Sequence, residues 1–94
     1  MRENDKVTAL VVTYNRKRLL ERCLRSLFNQ EHELHQICVI DNNSTDGTPE
    51  LVAEFQKQGC IDIAYIRLTE NLGGAGGFRE GFRWALERGD WDWL

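Results

Sequence analysis

Three apolar, largely β-branched runs alternate with helical stretches along this chain, and this alternation constrains the fold more than any other feature. The first run covers residues 7–13 and reads VTALVVT, which is typical of a strand buried on both faces. The other two cover residues 37–40 and 61–68. Strands that alternate with helices need right-handed crossovers. The pattern therefore predicts an α/β fold, a three-layer α/β/α sandwich with a parallel sheet, in which the first strand is internal and lies beside the second.

The helices between the strands are predicted from apolar residues that repeat every 3.6 positions or so. The stripe of the first helix consists of Leu19, Leu20, Cys23, Leu24, Leu27 and Phe28. The second helix starts at the Thr-Pro-Glu sequence of residues 48–50 and ends at Gly59. The apolar face of the third helix consists of Phe78, Phe82, Ala85 and Leu86, and Gly89 can end this helix.

The last five residues, DWDWL, begin a period-2 pattern after the third helix. They predict a fourth strand that starts as the sequence ends, beside the first strand. We therefore expect residues 1–94 to form one incomplete domain of a truncated protein. An open strand edge next to Trp91, Trp93 and Leu94 predicts self-association of the truncated chain.

Length and composition limit the class of protein. A chain of 94 residues has room for one domain, and its net charge of −3 argues against a nucleic-acid partner. Cys23, Cys38 and Cys60 are odd in number and lie in apolar segments, so we interpret them as buried thiols in a reducing compartment. With no apolar run near 18 residues, we expect a location in the cytoplasm or, for the full-length protein, at the cytoplasmic face of the membrane. His32 and His35 are one position too close for a zinc-protease motif.

Polar and glycine-rich segments follow each predicted strand: residues 13–17, 41–47 and 69–77. In an open parallel sheet, ligands bind outside the carboxyl ends of the strands. The topology therefore places a ligand site at this edge before any motif is considered. The first strand-to-helix turn has no glycine, which argues against an NAD-dependent oxidoreductase.

Two interpretations of the third segment stay open. Its glycines, including Gly73 and Gly74, allow a phosphate or sugar to approach the backbone closely. Alternatively, Gly74, Gly77 and Gly81 form a smooth helix face that packs on the sheet. Both can hold for different glycines.

Two charged residues near the strand ends also have two interpretations. Arg16 begins a cationic run at the start of the first helix, where the helix dipole disfavours cations, and a bound diphosphate would offset that cost. Solvation of long side chains on an exposed turn would also offset that cost, and this interpretation is favoured for Lys17 and Arg18. Asp41 ends a buried strand, where it either contacts a ligand or accepts N–H bonds from the next turn.

Three sequence segments together make a specific resemblance. VVTYNR at residues 11–16, VIDNNSTDGT at 39–48 and NLGGAGGF at 71–78 resemble, in order and spacing, the N-terminal half of family 2 glycosyltransferases with the GT-A fold. The resemblance covers essentially the whole chain, and it implies that residues 1–94 are the N-terminal nucleotide-sugar-binding half of a truncated, Rossmann-like domain. The Gly-Gly-Ala-Gly-Gly-Phe element is most similar to the branch that contains rhamnosyltransferases and galactofuranosyltransferases.

The resemblance implies transfer of a sugar, with inversion, from a nucleoside-diphosphate sugar of the dTDP-rhamnose or UDP-galactofuranose type. The acceptor would be a hydroxyl of a glycan or lipid-linked substrate in cell-wall or surface polysaccharide synthesis. The implied donor-site residues are Thr13, Tyr14, Arg16, Asp41, Asn42, Asn71, Gly73 and Gly74. Tyr14 would cover the nucleotide, Arg16 would contact the uracil or diphosphate, and Asn42 would contact the base.

The resemblance also implies which functional groups are absent from residues 1–94. The D-x-D motif for a divalent metal (Mg or Mn) and the catalytic base would follow after Leu94, so residues 1–94 would contain neither catalytic residues nor metal ligands. The alternative is a noncatalytic nucleotide-binding or scaffold domain with the same fold. A D-x-D sequence after a fourth strand would favour the enzyme.

Overall fold

The computed structural model describes residues 2 and 4–94, which form a parallel sheet with helices on both faces. The elements alternate along the chain as β1 (Thr8–Thr13), α1 (Lys17–Phe28), β2 (Gln36–Asp41), α2 (Thr48–Gln58), β3 (Asp62–Arg67) and α3 (Gly73–Arg88). The sheet order is β1-β2-β3, and both strand pairs are parallel. The predicted α/β class, strand positions and neighbouring first and second strands are confirmed.

The register aligns the carboxyl ends of the strands. Thr13 of β1 lies opposite Asp41 of β2, which lies opposite Arg67 of β3. The N–H of Asn42 donates to the Thr13 carbonyl at 2.9 Å, and the N–H of Leu68 donates to the Asp41 carbonyl at 2.8 Å. The three polar segments that follow the strands therefore leave the sheet side by side.

The larger core lies between one face of the sheet and the helices α1 and α2. Odd-numbered strand residues point to this side, and the fully buried members include Ile37 and Val39. They pack with the buried residues Leu20, Leu24, Leu51, Val52 and Phe55. This alternation arises because successive side chains of a strand point to opposite faces.

Helix α3 covers the other face through its smallest residues. A Cβ at Gly77 would lie 2.5 Å from Cγ1 of Val12, and a Cβ at Gly81 would lie 2.4 Å from Cδ1 of Leu10, so the helix backbone approaches β1 closely. Ala85 continues this buried row. The packing interpretation of the glycines is therefore right for Gly77 and Gly81, whereas nothing lies within 4 Å of a Cβ at Gly74.

The apolar face predicted for the third helix is wrong for most of its members. Phe78, Phe82 and Leu86 are exposed, and only Ala85 of the predicted set is buried. Glycine has low apolar area, so the apolar periodicity misses this face, which the spacing of Gly77 and Gly81 had indicated as an alternative. The helix approaches the sheet with that face because the small residues permit the closest contact.

The strand buried on both faces is β2, not β1. Every residue of β2 is buried, whereas Ala9, Leu10, Val11 and Val12 of β1 are half-exposed. In the described residues β1 is an edge strand of the three-stranded sheet, apart from a parallel bridge between Val7 and Trp93. The prediction that the first strand is internal is therefore wrong for this part of the chain, while the bridge agrees with a fourth strand beside it.

The cysteines and histidines have ordinary surroundings. Cys38 is buried, and burial raises the pKa of its thiol to about 11, but Cys60 is exposed, so the prediction of three buried thiols is wrong. A ring nitrogen of His32 lies 3.1 Å from the Asp5 carbonyl oxygen. No helix within residues 2 and 4–94 is long and apolar enough to cross a membrane.

Candidate functional site

A cleft of about 730 Å³ lies at the carboxyl edge of the sheet, between the start of α1 and the start of α3. Its lining contains all but one of the residues expected in the site: Thr13, Tyr14, Arg16, Asn42, Asn71, Gly73 and Gly74. Val11, Val12, Leu19, Leu20, Cys23 and Asn15 complete the lining. The structure thus brings the first and third polar segments together around one cavity.

Asp41 is the expected residue that does not line the cleft. It is fully buried, and one carboxylate oxygen accepts hydrogen bonds from the Ser44 N–H at 3.0 Å and the Ser44 hydroxyl at 2.6 Å. The other oxygen accepts the hydroxyl proton of Tyr65. Burial, followed by this hydrogen bond, raises the pKa of Tyr65 well above its usual range, so the phenol stays a donor. Asp41 therefore stabilises the turn after β2.

The turn after β2 is tied to the turn after β1 by reciprocal hydrogen bonds. The N–H of Asn15 donates to the Ser44 hydroxyl oxygen at 2.9 Å, and the N–H of Thr45 donates to the Asn15 side-chain oxygen at 2.7 Å. Asn15 has φ +47°, a left-handed conformation that asparagine tolerates better than most residues. The two turns therefore form one unit, and Asp41 supports it through Ser44.

Asn42 connects β2 to the start of α3. Its side-chain oxygen accepts the Leu72 N–H at 3.1 Å, and its side-chain nitrogen donates to the Gly73 carbonyl at 3.1 Å. Asn42 is 2% exposed, so it lies beneath the cleft surface although it contributes to the lining. Both the oxygen and the nitrogen of the amide are therefore hydrogen-bonded to the backbone at the start of α3.

The start of α3 presents backbone to the cleft. Gly73 has φ +75°, which favours glycine, and its N–H donates to the Asn71 side-chain oxygen at 2.8 Å. The next N–H groups have no intrahelical acceptor because they belong to the first helical turn. Gly74 lines the cleft with open space around it. A helix N-terminus in this setting favours an anion.

The electrostatics of the cleft also favour an anion. Within the described chain, Arg16 is the sole charged residue among those that line the cleft, and it is exposed there. Lys17 lies elsewhere, since its Nζ is 3.3 Å from the position of a Cβ at Gly47. Tyr14 is 44% exposed and offers an aromatic face. The cleft can therefore pair a cation and a helix N-terminus with an anion, and a ring with a planar group.

Metal binding does not fit the residues described. No group of three or more His, Cys, Asp or Glu side chains within residues 2 and 4–94 could hold a metal ion. No carboxylate among these residues lines the cleft. Apart from the Arg16 guanidinium, the polar groups of the lining are amides, hydroxyls, backbone groups and the thiol of Cys23, whose pKa is raised by burial, so the lining offers a divalent cation no carboxylate ligand.

Sequence reasoning overlooked Asn15, Ser44 and Tyr65 as residues that hold the site. Ser44 and Asn15 belong to the segments that were singled out, and an asparagine before a helix is a known signal for a left-handed residue. Tyr65 is 24 residues from Asp41 along the chain, so no local pattern links them.

A parallel sheet with helices on both faces and a cleft at its carboxyl edge is the arrangement of a Rossmann-like α/β domain. The family model "Glycosyl transferase family 2" matches residues 8–93. This chain belongs to glycosyltransferase family 2.

Individual relatives agree with this family. The chain is 36% identical over its whole length to galactofuranosyltransferase GlfT1 of Mycolicibacterium smegmatis, of which it covers 30%. It is 38% identical over 94% of its length to abequosyltransferase RfbV of Salmonella typhimurium, of which it covers 26%. The resemblance to galactofuranosyltransferases predicted from the glycine-rich element is confirmed.

A solved structure shares the fold. The mannosyltransferase PcManGT from Pyrobaculum calidifontis, solved in complex with GDP-Man and Mn²⁺, matches with a TM-score of 0.78 and 30% identity over 86% of this chain. The chain covers 24% of that protein. It thus spans about a quarter to a third of the length of the relatives described here.

Proposed function

We propose that this chain forms the donor-binding part of an inverting glycosyltransferase that uses a nucleoside-diphosphate sugar. The donor is of the dTDP-rhamnose or UDP-galactofuranose type, and the acceptor is a hydroxyl of a glycan or lipid-linked substrate in cell-wall or surface polysaccharide synthesis. The observation that carries the proposal is the cleft itself, where Tyr14, Arg16 and the start of α3 surround one cavity. The family and the GDP-Man complex of the related mannosyltransferase support it.

The residues of this chain would bind and orient the donor. The exposed ring of Tyr14 stacks on the base, and the guanidinium of Arg16 pairs with the diphosphate. Free N–H groups near Gly74 face the phosphates or the donor sugar. Thr13 and Asn71 border the ribose. Holding the donor in one geometry is the contribution that such a half-site can make to the reaction.

Transfer itself requires groups outside this set. No carboxylate among the described residues lines the cleft, so none of them is placed to act as a general base. The related mannosyltransferase was solved with Mn²⁺. We propose that the full-length enzyme also uses a divalent metal, and that the ligands of this metal and the catalytic base lie outside residues 1–94.

Calorimetry tests the role of Arg16. We expect Arg16→Ala to weaken the affinity for UDP and dTDP by about tenfold, because a charge-assisted bond to phosphate contributes roughly 1.5 kcal/mol. The control is Arg18→Ala, which removes an exposed arginine that does not line the cleft. Equal affinities for the two variants would refute the assignment of Arg16, and no binding by the unmodified protein would refute the proposed function.

We also propose that residues 1–94 self-associate through the open edge of β1. The Val7 and Thr13 carbonyls bond toward β2, so the backbone groups of Leu10 and Val12 point outward along this edge. The strand carries no charge or proline that would block pairing. Phe82 and Leu86, 49% and 73% exposed, add apolar surface on α3, which packs on β1. An antiparallel pairing of Leu10 with Val12 of a second copy would satisfy these groups.

Sedimentation at about 100 μM tests this association, since a contact worth about 6 kcal/mol populates dimers at that concentration. We expect dimers for residues 1–94 and monomers for the double variant Phe82→Glu, Leu86→Glu, which places charge on the apolar surface. Ala53→Glu, on the exposed face of α2, should leave the dimer intact. A monomer at this concentration in the unmodified chain would contradict the prediction.

A further inference from the structure

We propose that Asn42 is a positioning residue of the donor site, which fixes the start of α3 and does not read the base. The inference rests on the proposed function, and it replaces the expectation that the amide of Asn42 contacts the base. It predicts that changes at Asn42 alter the affinity for all nucleotides alike.

The geometry assigns Asn42 to the backbone of residues 72 and 73. Its oxygen accepts from the Leu72 N–H and its nitrogen donates to the Gly73 carbonyl, each at 3.1 Å. Its own N–H donates to the Thr13 carbonyl at 2.9 Å. One residue therefore links the end of β1, the end of β2 and the start of α3.

The surroundings of the amide leave it little freedom. A Cβ at Gly77 would lie 3.2 Å from the Asn42 side-chain nitrogen, so α3 passes close over the amide group. At 2% exposure, Asn42 contributes very little accessible surface to the cleft that it lines. Rotation toward a ligand would break two hydrogen bonds and leave the Leu72 N–H and Gly73 carbonyl without their partner.

Only an amide of this length satisfies both groups. A carboxylate at position 42 would still accept from the Leu72 N–H, but its second oxygen would face the Gly73 carbonyl and the two would repel. A serine has too short a side chain to reach both. The start of α3 therefore depends on the identity of this side chain.

The link matters for ligand binding because the backbone that Asn42 holds lines the cleft. Gly73 and Gly74 belong to the lining, and the adjoining helix N-terminus offers N–H groups to an anion. A displacement of this segment would weaken contacts to the diphosphate, which every nucleotide shares. A side chain that reads the base would instead change the preference for one base over another.

The test compares Asn42→Asp with Asn29→Asp, which makes the same chemical change at an exposed position after α1. Dissociation constants for UDP, dTDP and GDP are measured by calorimetry well below the melting temperature of each variant. Amide hydrogen exchange at Leu72 is followed by NMR. A purely structural role, in which the variant is merely less stable, would leave the dissociation constants of the folded protein unchanged.

We expect Asn42→Asp to weaken all three nucleotides by a similar factor, on the order of tenfold, and to speed exchange at Leu72 by at least as much. Asn29→Asp should change neither. A selectivity between bases that shifts more than about tenfold, with exchange at Leu72 unchanged, would overturn the proposal.

Three further outcomes can be distinguished. If Asn42→Asp does not fold, Asn42→Ser provides the same comparison, because it removes the link without adding charge. If the unmodified protein binds none of the nucleotides, the proposed function fails and so does the proposed donor-site role of Asn42. If nucleotides bind but Asn42→Asp and Asn42→Ser bind them as the unmodified protein does, the positioning role alone is wrong.

Discussion

Asp41→Ala is expected to lower the free energy of unfolding by at least about 3 kcal/mol and to abolish nucleotide binding. The substitution strands the Ser44 N–H, the Ser44 hydroxyl and the Tyr65 hydroxyl around a fully buried position. Each buried donor left without an acceptor costs about 1 to 3 kcal/mol. A chain of this length has a total stability on the order of 5 to 14 kcal/mol, so the loss is a large share of it.

Two controls separate the contacts of Asp41. Asp41→Asn keeps the shape and the acceptor oxygen for Ser44, and the Tyr65 hydroxyl can accept from the new amide, so we expect a smaller loss. Tyr65→Phe removes one hydrogen bond and should cost about 1 kcal/mol. Urea unfolding followed by circular dichroism measures all three variants. If Asp41→Ala is as stable as the unmodified protein, the carboxylate does not support the turn.

Gly77→Leu is expected to lower the free energy of unfolding by about 2 to 3 kcal/mol, the upper part of the range for overpacking of a core. Even a Cβ alone at this position would lie 2.5 Å from Cγ1 of Val12, and leucine adds three more carbon atoms. Valine is stiff at its first side-chain torsion and cannot swing away, so the helix or β1 must move. Denaturant unfolding measures the effect.

The matched control is Gly74→Leu, in the same helix and with nothing within 4 Å of its Cβ. We expect a change of less than about 1 kcal/mol there, because leucine is the better helix former and meets open space. Similar losses at both positions would mean that backbone conformation, and not contact with Val12, requires glycine in this segment.

Much of the fold follows from local patterns in the sequence. Apolar runs placed all three strands, and the glycines at 59 and 89 ended α2 and α3 where a left-handed residue is needed. The carboxyl-edge rule placed the cleft, because all three polar segments follow strands that run the same way. Periodicity and turn chemistry depend on residues that are close together in the sequence, so they can be read from the sequence without the structure.

The sequence by itself determined the element order, the parallel sheet and the edge at which the cleft forms. The tertiary structure alone decided that β2 is the central strand. It also decided between stated alternatives: Gly77 and Gly81 pack on the sheet, and Asp41 accepts hydrogen bonds from its turn and does not line the cleft. It also decided the partners of Asn42, which lie about 30 residues away at the start of α3. The physical reason is separation along the sequence. Hydrogen bonds and close packing depend on which distant segment lies next to a residue in the fold, and a local pattern of residue types does not contain that information.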